Sequence, residues 1–221
     1  MKHEFSQQTL STECCGENLL LHPDKVIYWP ARKTLLAADI HVGKEATFAR
    51  AGIPVPGGIS EQTLNTLMRL LDDSQSERLI ILGDLLHSTP RLSEPWQQHL
   101  STLLAERKEL TVEVIIGNHD SKAARDNVVA NLKWVSGLYE PPFLFKHEPC
   151  TDKSHYVIAG HIHPVYRLKN GRRQSLKAPV FWFNENYAVL PAFGEFTGGH
   201  VIEREQSDRL FMIGGGQIVE V

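Results

Sequence analysis

The stretch Val112–Asp120 has the sequence VEVIIGNHD, in which an apolar run stops at a glycine and an amide, an imidazole and a carboxylate follow at once. The run is too short for a buried helix and predicts a buried strand. Gly117 lets the backbone turn where a side chain would collide. The polar residues then follow the carboxyl end of the strand, where open α/β sheets bind their ligands. Taken alone, the stretch is equally typical of a strand with a plain polar turn.

Four other stretches repeat this pattern. Each is an apolar run that ends in residue types that commonly bind metal ions: TLLAADIH at Thr34–His41, LIILGD at Leu79–Asp84, FLFKH at Phe143–His147 and YVIAGHIH at Tyr156–His163. One Asp-x-His or His-x-His motif arises often by chance. Five strand ends of this kind in one chain indicate a shared metal site.

Composition and charge limit the class of protein. The 221-residue chain has a formal net charge of −3, so any attraction to nucleic acid must be local. The N-terminus lacks the apolar core of a signal peptide, and no apolar run is long enough to span a bilayer. The three cysteines, two of them adjacent, form a poor disulfide framework. We therefore expect one domain over residues 1–221, in the cytoplasm and without a membrane partner.

The order of predicted elements favours two packed sheets flanked by helices, because helices alternate with strands early and strands dominate late. Ser60 is predicted to cap a helix. The apolar face of that helix comprises Leu64, Leu67, Met68 and Leu71. Pro95 at a first helical position opens another helix, and a third is predicted through Ala123–Leu132. The Gly- and Pro-containing stretch Gly43–Gly58 is predicted to be a loop at the rim of the site.

The motif order DxH, GD, GNHD, His and GHxH resembles the calcineurin-like metallophosphoesterase superfamily, over roughly Leu35–Pro164. The resemblance implies an α/β fold, a four-layer α/β/β/α sandwich of two mixed sheets with the site between loops at one edge. It also implies a metal-dependent phosphoric ester hydrolase with two divalent metal ions. Carboxylate, imidazole and amide ligands suit Mn, with Fe or Zn as alternatives.

The resemblance assigns a role to each motif residue. One ion is held by Asp39, His41 and His163, and the other by Asn118, His147 and His161. Asp84 bridges the ions, and a hydroxide between them attacks phosphorus. His119 protonates the leaving oxygen or stabilises its charge. Asp120 either orients His119 or caps a helix.

One position departs from the superfamily pattern. Many members have an arginine that touches phosphate soon after the Gly-Asp motif, whereas this chain continues as Leu85-Leu86-His87. His87 is then either a contact to substrate or to His119, or a plain supporting histidine.

A narrower resemblance concerns the substrate. Three stretches are similar to the bacterial ligase-associated metallophosphoesterases, namely ADIHVGKEATFARAGIPVP, APVFWF and PAFGEFTGG. Those proteins are grouped with an ATP-dependent DNA ligase and a helicase. This implies a Mn-dependent phosphodiesterase or nuclease that acts on DNA in repair, in association with a ligase and a helicase.

A small-molecule phosphatase or nucleotide pyrophosphatase is the alternative, because the motif recognises only the phosphoryl group. A non-catalytic scaffold is the third hypothesis, but such members would be expected to lose ligands. The sequence leaves the oligomeric state open.

Several side chains near the motifs are candidate substrate contacts. Lys44 and Arg50 follow the first ligands and are suited to phosphates, while Phe48 between them either stacks on a base or packs under the loop. Basic residues also crowd the predicted hairpin after His163, namely Arg167, Lys169, Arg172, Arg173 and Lys177. In an acidic chain this hairpin is either a local DNA contact or a solvated surface.

Overall fold

Two mixed sheets form the framework of the protein in a computed structural model, which describes residues 5, 7–88, 94–122, 132–170, 174–195 and 197–221. The first sheet contains seven strands in sequence order: β1 Leu10–Cys14, β2 Glu17–His22, β3 Val26–Trp29, β4 Thr34–Ala37, β5 Arg78–Ile81, β6 Thr111–Ile115 and β7 Lys133–Val135. The pairs from β1 to β4 are antiparallel and those from β4 to β7 are parallel. The carboxyl ends of β4, β5 and β6 therefore share one edge.

The second sheet contains the remaining nine described strands. They are β8 Leu138–Glu140, β9 Phe143–Phe145, β10 Tyr156–Ala159, β11 Pro164–Asn170, β12 Gln174–Phe183, β13 Tyr187–Val189, β14 His200–Val201, β15 Arg209–Gly214 and β16 Gln217–Glu220. The spatial order is β14-β11-β12-β13-β10-β9-β8, and β15 pairs with β12 and β16. Strands β9, β10 and β13 are parallel. The polar residues that follow β9 and β10 consequently emerge together.

Three α-helices are described: α1 Lys44–Arg50, α2 Ile59–Ser74 and α3 Pro95–Ala105, besides the 3-10 helix Pro30–Arg32. The predicted apolar face of α2 is confirmed, since its four leucine and methionine side chains are buried. Pro95 begins α3 as predicted. The predicted helix through Ala123–Leu132 falls on residues 123–131, outside the described part of the chain. No described helix is long and apolar enough to cross a membrane.

Two apolar clusters lie on opposite faces of the parallel strands, because successive side chains of a strand point to opposite faces. In β4, Leu35 contributes to the cluster under the helices and Leu36 to the cluster between the sheets. In β5, Leu79 and Ile80 divide in the same way. This burial on both faces explains the continuous apolar runs of the sequence. A smaller third cluster covers the outer face of the second sheet, and none of its members belongs to a described helix.

The structure confirms the predicted α/β fold with two mixed sheets and corrects two local predictions. The rim stretch is not a continuous loop, because Lys44–Arg50 forms α1. Its sequence KEATFAR is rich in helix-forming residues, and the Gly and Pro residues around it limit the helix to two turns. Ser60 is not the N-cap of α2, since that position belongs to Gly58. Its hydroxyl instead accepts the Gly43 N–H at 2.7 Å and donates to Glu45 at 2.7 Å.

Candidate metal centre

The motif residues meet because each follows a strand that ends at the same edge of the sandwich. Asp39, Asp84 and Asn118 follow the parallel strands β4, β5 and β6 of the first sheet. His147 follows β9, and His161 and His163 follow β10, of the second sheet. The predicted strand before each motif is thus confirmed. Five of these side chains, together with His41, form two groups with geometry suitable for a metal ion: Asp39, His41 and His163, and Asp84, His147 and His161.

The backbone at this edge is held in an unusual conformation. Five candidate ligands have a positive φ, between 50° and 71°: Asp39, His41, Asp84, His161 and His163. Non-glycine residues rarely adopt this region, and each instance costs about 1–3 kcal/mol. Strain of this kind persists where the surrounding structure fixes the backbone, and it concentrates at functional sites. These turns follow the strand ends, where the donor atoms of the two groups lie close together.

The first group brings three donor atoms together. His41 Nε2 and His163 Nε2 are 3.4 Å apart, and His163 Nε2 is 3.4 Å from Asp39 Oδ1. Asp39 is fully buried, and its other oxygen accepts the His161 N–H at 2.8 Å. The carboxylate therefore orients the backbone of the second group while its free oxygen faces the first.

The second group is equally close. His147 Nε2 is 3.1 Å from His161 Nδ1 and 3.0 Å from Asn118 Oδ1. The structure thus brings Asn118 into the group with which it was predicted to act. His147 is buried, whereas Asn118 and His161 are exposed, so the centre opens to solvent on this side.

Asp84 lies between the two groups. Its Oδ2 atom is 3.6 Å from His147 Nε2 and 4.0 Å from His41 Nε2. Its Oδ1 atom accepts the His119 N–H at 3.0 Å. One carboxylate oxygen therefore faces both sets of donors, which is the position a bridging ligand requires.

Backbone carbonyls fix which ring nitrogen faces the centre. His147 Nδ1 lies 3.0 Å from Leu82 O, and His163 Nδ1 lies 3.1 Å from Gly198 O. A carbonyl only accepts, so each Nδ1 carries the proton and each Nε2 presents a lone pair. Metal-binding histidines are usually oriented in this way.

The donors fit divalent metal ions. Among the described residues Asp39 Oδ1 has no hydrogen-bond partner and is buried, and it lies 3.4 Å from His163 Nε2. Burial, with His163 and Lys44 nearby, lowers the pKa of His41 to about 2, which keeps that ring neutral and able to bind a metal. Burial opposes a charge on His163, but the Asp39 carboxylate outweighs it and raises the pKa of that ring. Unpaired acceptors that converge in a buried site need a cation between them.

His119 stands beside the two groups and belongs to neither. Its Nδ1 lies 2.7 Å from the backbone oxygen of His87, and its Nε2 is 3.9 Å from Asp84 Oδ2. The ring of His87 stacks on that of His119, with centroids 5.5 Å apart and an interplanar angle of 20°. Burial, together with Lys44 and His119, lowers the pKa of His87 to about 4. Of the readings open for His87, the structure supports contact with His119.

Asp120 does not orient His119 through any described hydrogen bond. It is fully buried and accepts backbone N–H groups from Leu86 at 3.0 Å, Gly117 at 3.1 Å and Leu85 at 3.3 Å. Burial raises the pKa of this carboxyl to about 6, against the effect of those hydrogen bonds. Asp120 therefore joins the loops that carry Asp84 and His119. It is a positioning residue, and the predicted contact with the His119 ring is replaced by His87.

Two glycines allow ligand side chains to lie against the backbone. A Cβ atom at Gly117 would overlap the Asp84 carboxylate, and one at Gly83 would overlap the His147 ring. Gly83 also has a φ of 86°, which an L side chain rarely adopts. The glycines of the GD and GNHD motifs are thus explained by close approach.

The predicted substrate contacts differ in where the structure places them: one lies near the centre, one is paired elsewhere, and two are not described. Lys44 lines a narrow cavity that also includes His41 and Phe48. Arg50 is held by Glu94 at 3.3 Å and Thr47 at 2.8 Å, and within the described part of the chain it has no contact with the centre. Arg172 and Arg173 lie outside the described residues.

Comparison with known proteins identifies the family. The model of the calcineurin-like phosphoesterase family matches residues 32–216. The chain belongs to the calcineurin-like phosphoesterase family. This confirms the predicted superfamily and makes the protein a metal-dependent phosphoester hydrolase. The two ligand groups correspond to the divalent dimetal centre of the family.

Two solved structures are reported as similar to this chain, and the first of them agrees with this assignment. The nuclease MPE of Pseudomonas putida is similar over 96% of this chain and 100% of its own, with 36% sequence identity and a TM-score of 0.82. The phosphoesterase Yfce of E. coli has 16% identity and a TM-score of 0.44, over 85% of this chain and 97% of its own. Among curated proteins, no sequence matches the chain significantly.

Sequence reasoning missed two features of this phosphoesterase centre. The carbonyls of Leu82, Gly198 and His87 orient the rings, but a main-chain oxygen leaves no signal in side-chain types. Glu45 was also missed: its carboxylate accepts the Ser60 N–H at 3.0 Å and the Ser60 hydroxyl at 2.7 Å. An acidic residue in the first turn of a short helix was the available signal, but its partner is fifteen residues away.

Proposed function

We propose that this protein is a Mn-dependent phosphodiesterase that cleaves DNA and acts in DNA repair. The observation that carries the proposal is a complete dimetal ligand set with His119 beside it. Similarity to a nuclease, over nearly the whole length of both chains, supports a nucleic acid as the substrate.

Two divalent ions in this centre would polarise the phosphoryl group and supply a nucleophilic water at neutral pH. One ion would be held by Asp39, His41 and His163, and the other would be held by Asn118, His147 and His161. Both ions would share Asp84. Carboxylate, amide and imidazole donors without a thiolate support Mn, and Fe or Zn remain alternatives.

His119 is assigned as the proton donor. Its Nδ1–H is committed to the His87 carbonyl, so Nε2 is the atom that carries a proton towards the leaving oxygen. The backbone N–H of the same residue holds Asp84 Oδ1, which fixes the donor relative to the shared carboxylate. Asp120 keeps both loops in place from the buried side.

Local positive charge supports an extended anionic substrate despite the acidic chain. Lys44 lies next to His41, and a groove beside His163 is lined by Lys177 and by Lys25, of which Lys25 is 4.0 Å from Glu195 of the same groove. Phosphates on either side of the cleaved one would meet these cations. A small nucleotide would need fewer of them, which makes a small-molecule phosphatase or pyrophosphatase the second candidate.

The scaffold hypothesis lacks support. A non-catalytic member would be free to lose donors, yet this chain retains the donor residues of every motif and His119. We further propose association with a DNA ligase and a helicase, and a reducing cytoplasmic location, which the three free thiols favour.

The test is turnover with Mn on single-stranded, double-stranded and nicked DNA, beside a nucleotide pyrophosphate and the bis-aryl and mono-aryl phosphates. We expect cleavage of DNA and of the bis-aryl ester, and Asp84→Ala should abolish both. Robust hydrolysis of the pyrophosphate with no cleavage of any DNA would overturn the nuclease assignment. Preference for the mono-aryl ester would indicate a phosphatase.

A further inference from the structure

An aromatic side chain on α1 lies beside the catalytic centre and outside the core. The helix buries none of its side chains. Phe48 is partly exposed, and neither it nor any other residue of α1 belongs to the described apolar clusters. A phenylalanine used for packing would be expected inside one of them. Phe48 instead faces His87, with ring centroids 6.4 Å apart.

Three neighbouring rings lie beside the centre, and the first two also border the ring of His41. His119 lies next to Asp84, His87 stacks on His119, and Phe48 follows His87. The Lys44 ammonium stands 5.8 Å from the centre of the Phe48 ring. This row presents an aromatic surface, and Lys44, which also lines the cavity beside His41, places a cation against it.

His87 has an unused hydrogen-bonding atom. Among the described residues its Nδ1 has no partner and is buried, although the ring is only half-buried as a whole. A buried polar atom without a partner costs free energy unless a ligand or water satisfies it. A water molecule would do so, and the exposed part of the ring is then left for stacking.

We propose that Phe48 and His87 form the subsite for the base of the leaving nucleoside. The inference rests on the proposed function and adds the side on which that nucleoside lies. Water adds its oxygen to phosphorus and releases one proton to solvent, and the P–O bond to the leaving nucleoside breaks. The oxygen of that nucleoside takes the proton from His119 Nε2, and solvent then returns a proton to His119. The leaving nucleoside must therefore lie against His119, and the next surfaces in that direction are His87 and Phe48. Bases of every type stack on aromatic rings, so the subsite selects nucleosides without selecting sequence.

The experiment compares three dinucleotides: thymidylyl-thymidine and the two analogues in which one base is replaced by hydrogen. The product without phosphate identifies the leaving nucleoside. For the wild-type protein, loss of the leaving base should lower kcat/KM roughly 5–100-fold, the usual value of one base–aromatic stack. Phe48→Ala should lower kcat/KM for the intact dinucleotide by a similar factor. Loss of the leaving base should then have little further effect in that variant.

Control variants separate stacking from folding. Phe48→Tyr keeps the ring and should retain wild-type values, while Phe48→Leu keeps the volume and should behave like Phe48→Ala. Ile53→Ala removes another exposed apolar side chain after the same helix and should change nothing. All variants should keep wild-type Mn content. The subsite would be overturned if Phe48→Ala cancelled the effect of the base on the phosphate-retaining nucleoside instead, or the effect of neither base. Either result would leave the proposed function standing. No hydrolysis of the intact dinucleotide by the wild-type protein would overturn the proposed function as well.

Discussion

At the scale of single residues, Asp84 has the most demanding position in the centre. One of its oxygens faces His147 and His41, and the other holds the backbone of His119. A shared ligand offsets charge on both ions, so its loss should affect both sites.

We predict that Asp84→Ala lowers the content of both ions, whereas Asp39→Ala mainly affects the first group. The measurement is elemental analysis after reconstitution with Mn and removal of free metal. Asp152→Ala is the control, because that partly exposed carboxylate contacts His155 away from the centre. Two ions per chain in Asp84→Ala would show that this carboxylate is not the bridge.

His119→Ala should separate chemistry from metal binding. The side chain contacts the His87 carbonyl and faces Asp84, but it belongs to neither ligand group. We expect kcat to fall roughly 10²–10⁴-fold, as for loss of a general acid. The loss should be smaller for a nitrophenolate leaving group, which needs little protonation, and Mn content should stay at two ions. Equal losses on good and poor leaving groups would contradict the acid role.

At the scale of elements, the β11–β12 hairpin places unlike residues on its two faces. Arg167 pairs with Lys177 on one face, and Leu168 pairs with Leu176 on the other. Like charges directly opposite each other destabilise a strand pair, so the basic face gains stability when an anion binds. Lys177 also lines the groove beside His163. If the hairpin contacts the substrate, the alternation predicts that the basic face does so, and not the apolar one.

The double variant Arg167→Ala, Lys177→Ala should bind DNA more weakly and with a smaller salt dependence. Each phosphate contact contributes about 0.7–0.9 to the slope of log K against log salt, so the slope should fall by about 1–2. The measurement is a salt titration of DNA affinity with aryl-ester kinetics in parallel. Ester hydrolysis should hardly change. Arg107→Ala, an arginine paired with Asp72, serves as the control. An unchanged slope would remove the hairpin from the DNA-binding surface.

At the scale of the whole molecule, ionic contacts join the two sheets at a distance from the strand ends that carry the ligands. Arg78, the first residue of β5, contacts Glu113 of β6 and Glu140 of β8. Lys133 also reaches Glu113, at 2.7 Å. The Glu113 side chain is only 3% exposed, so its charge depends on these partners.

Arg78→Ala should lower the free energy of unfolding by about 2–4 kcal/mol, because a nearly buried carboxylate loses one of its two cations. Urea unfolding measures this change. Arg69→Ala, which breaks pairs with the more exposed Asp24 and Asp73, should cost no more than about 1 kcal/mol. Activity and Mn content of the folded variants should match the wild type. Equal stabilities for both variants would mean that the network does not stabilise the packed sheets.

The sequence by itself determined the strands before the motifs, the family and which residues are candidate ligands. These features are local: an apolar run, a glycine and the donor types follow one another within a few residues, as in LIILGD. The same locality explains the confirmed apolar face of α2. The single domain over residues 1–221 stays a prediction.

Only the tertiary structure decided how the donors are arranged. His41 and His163 are 122 residues apart in the chain and 3.4 Å apart in space, a distance set by strand pairing in two sheets. The tertiary structure also placed Asp120 among backbone N–H groups and brought the ring of Phe48 beside that of His87. The physical reason is that ring orientation and the shared position of Asp84 depend on carbonyls and strained turns from separate loops. Residue types report the chemistry of a site, whereas the packing of the two sheets sets its distances.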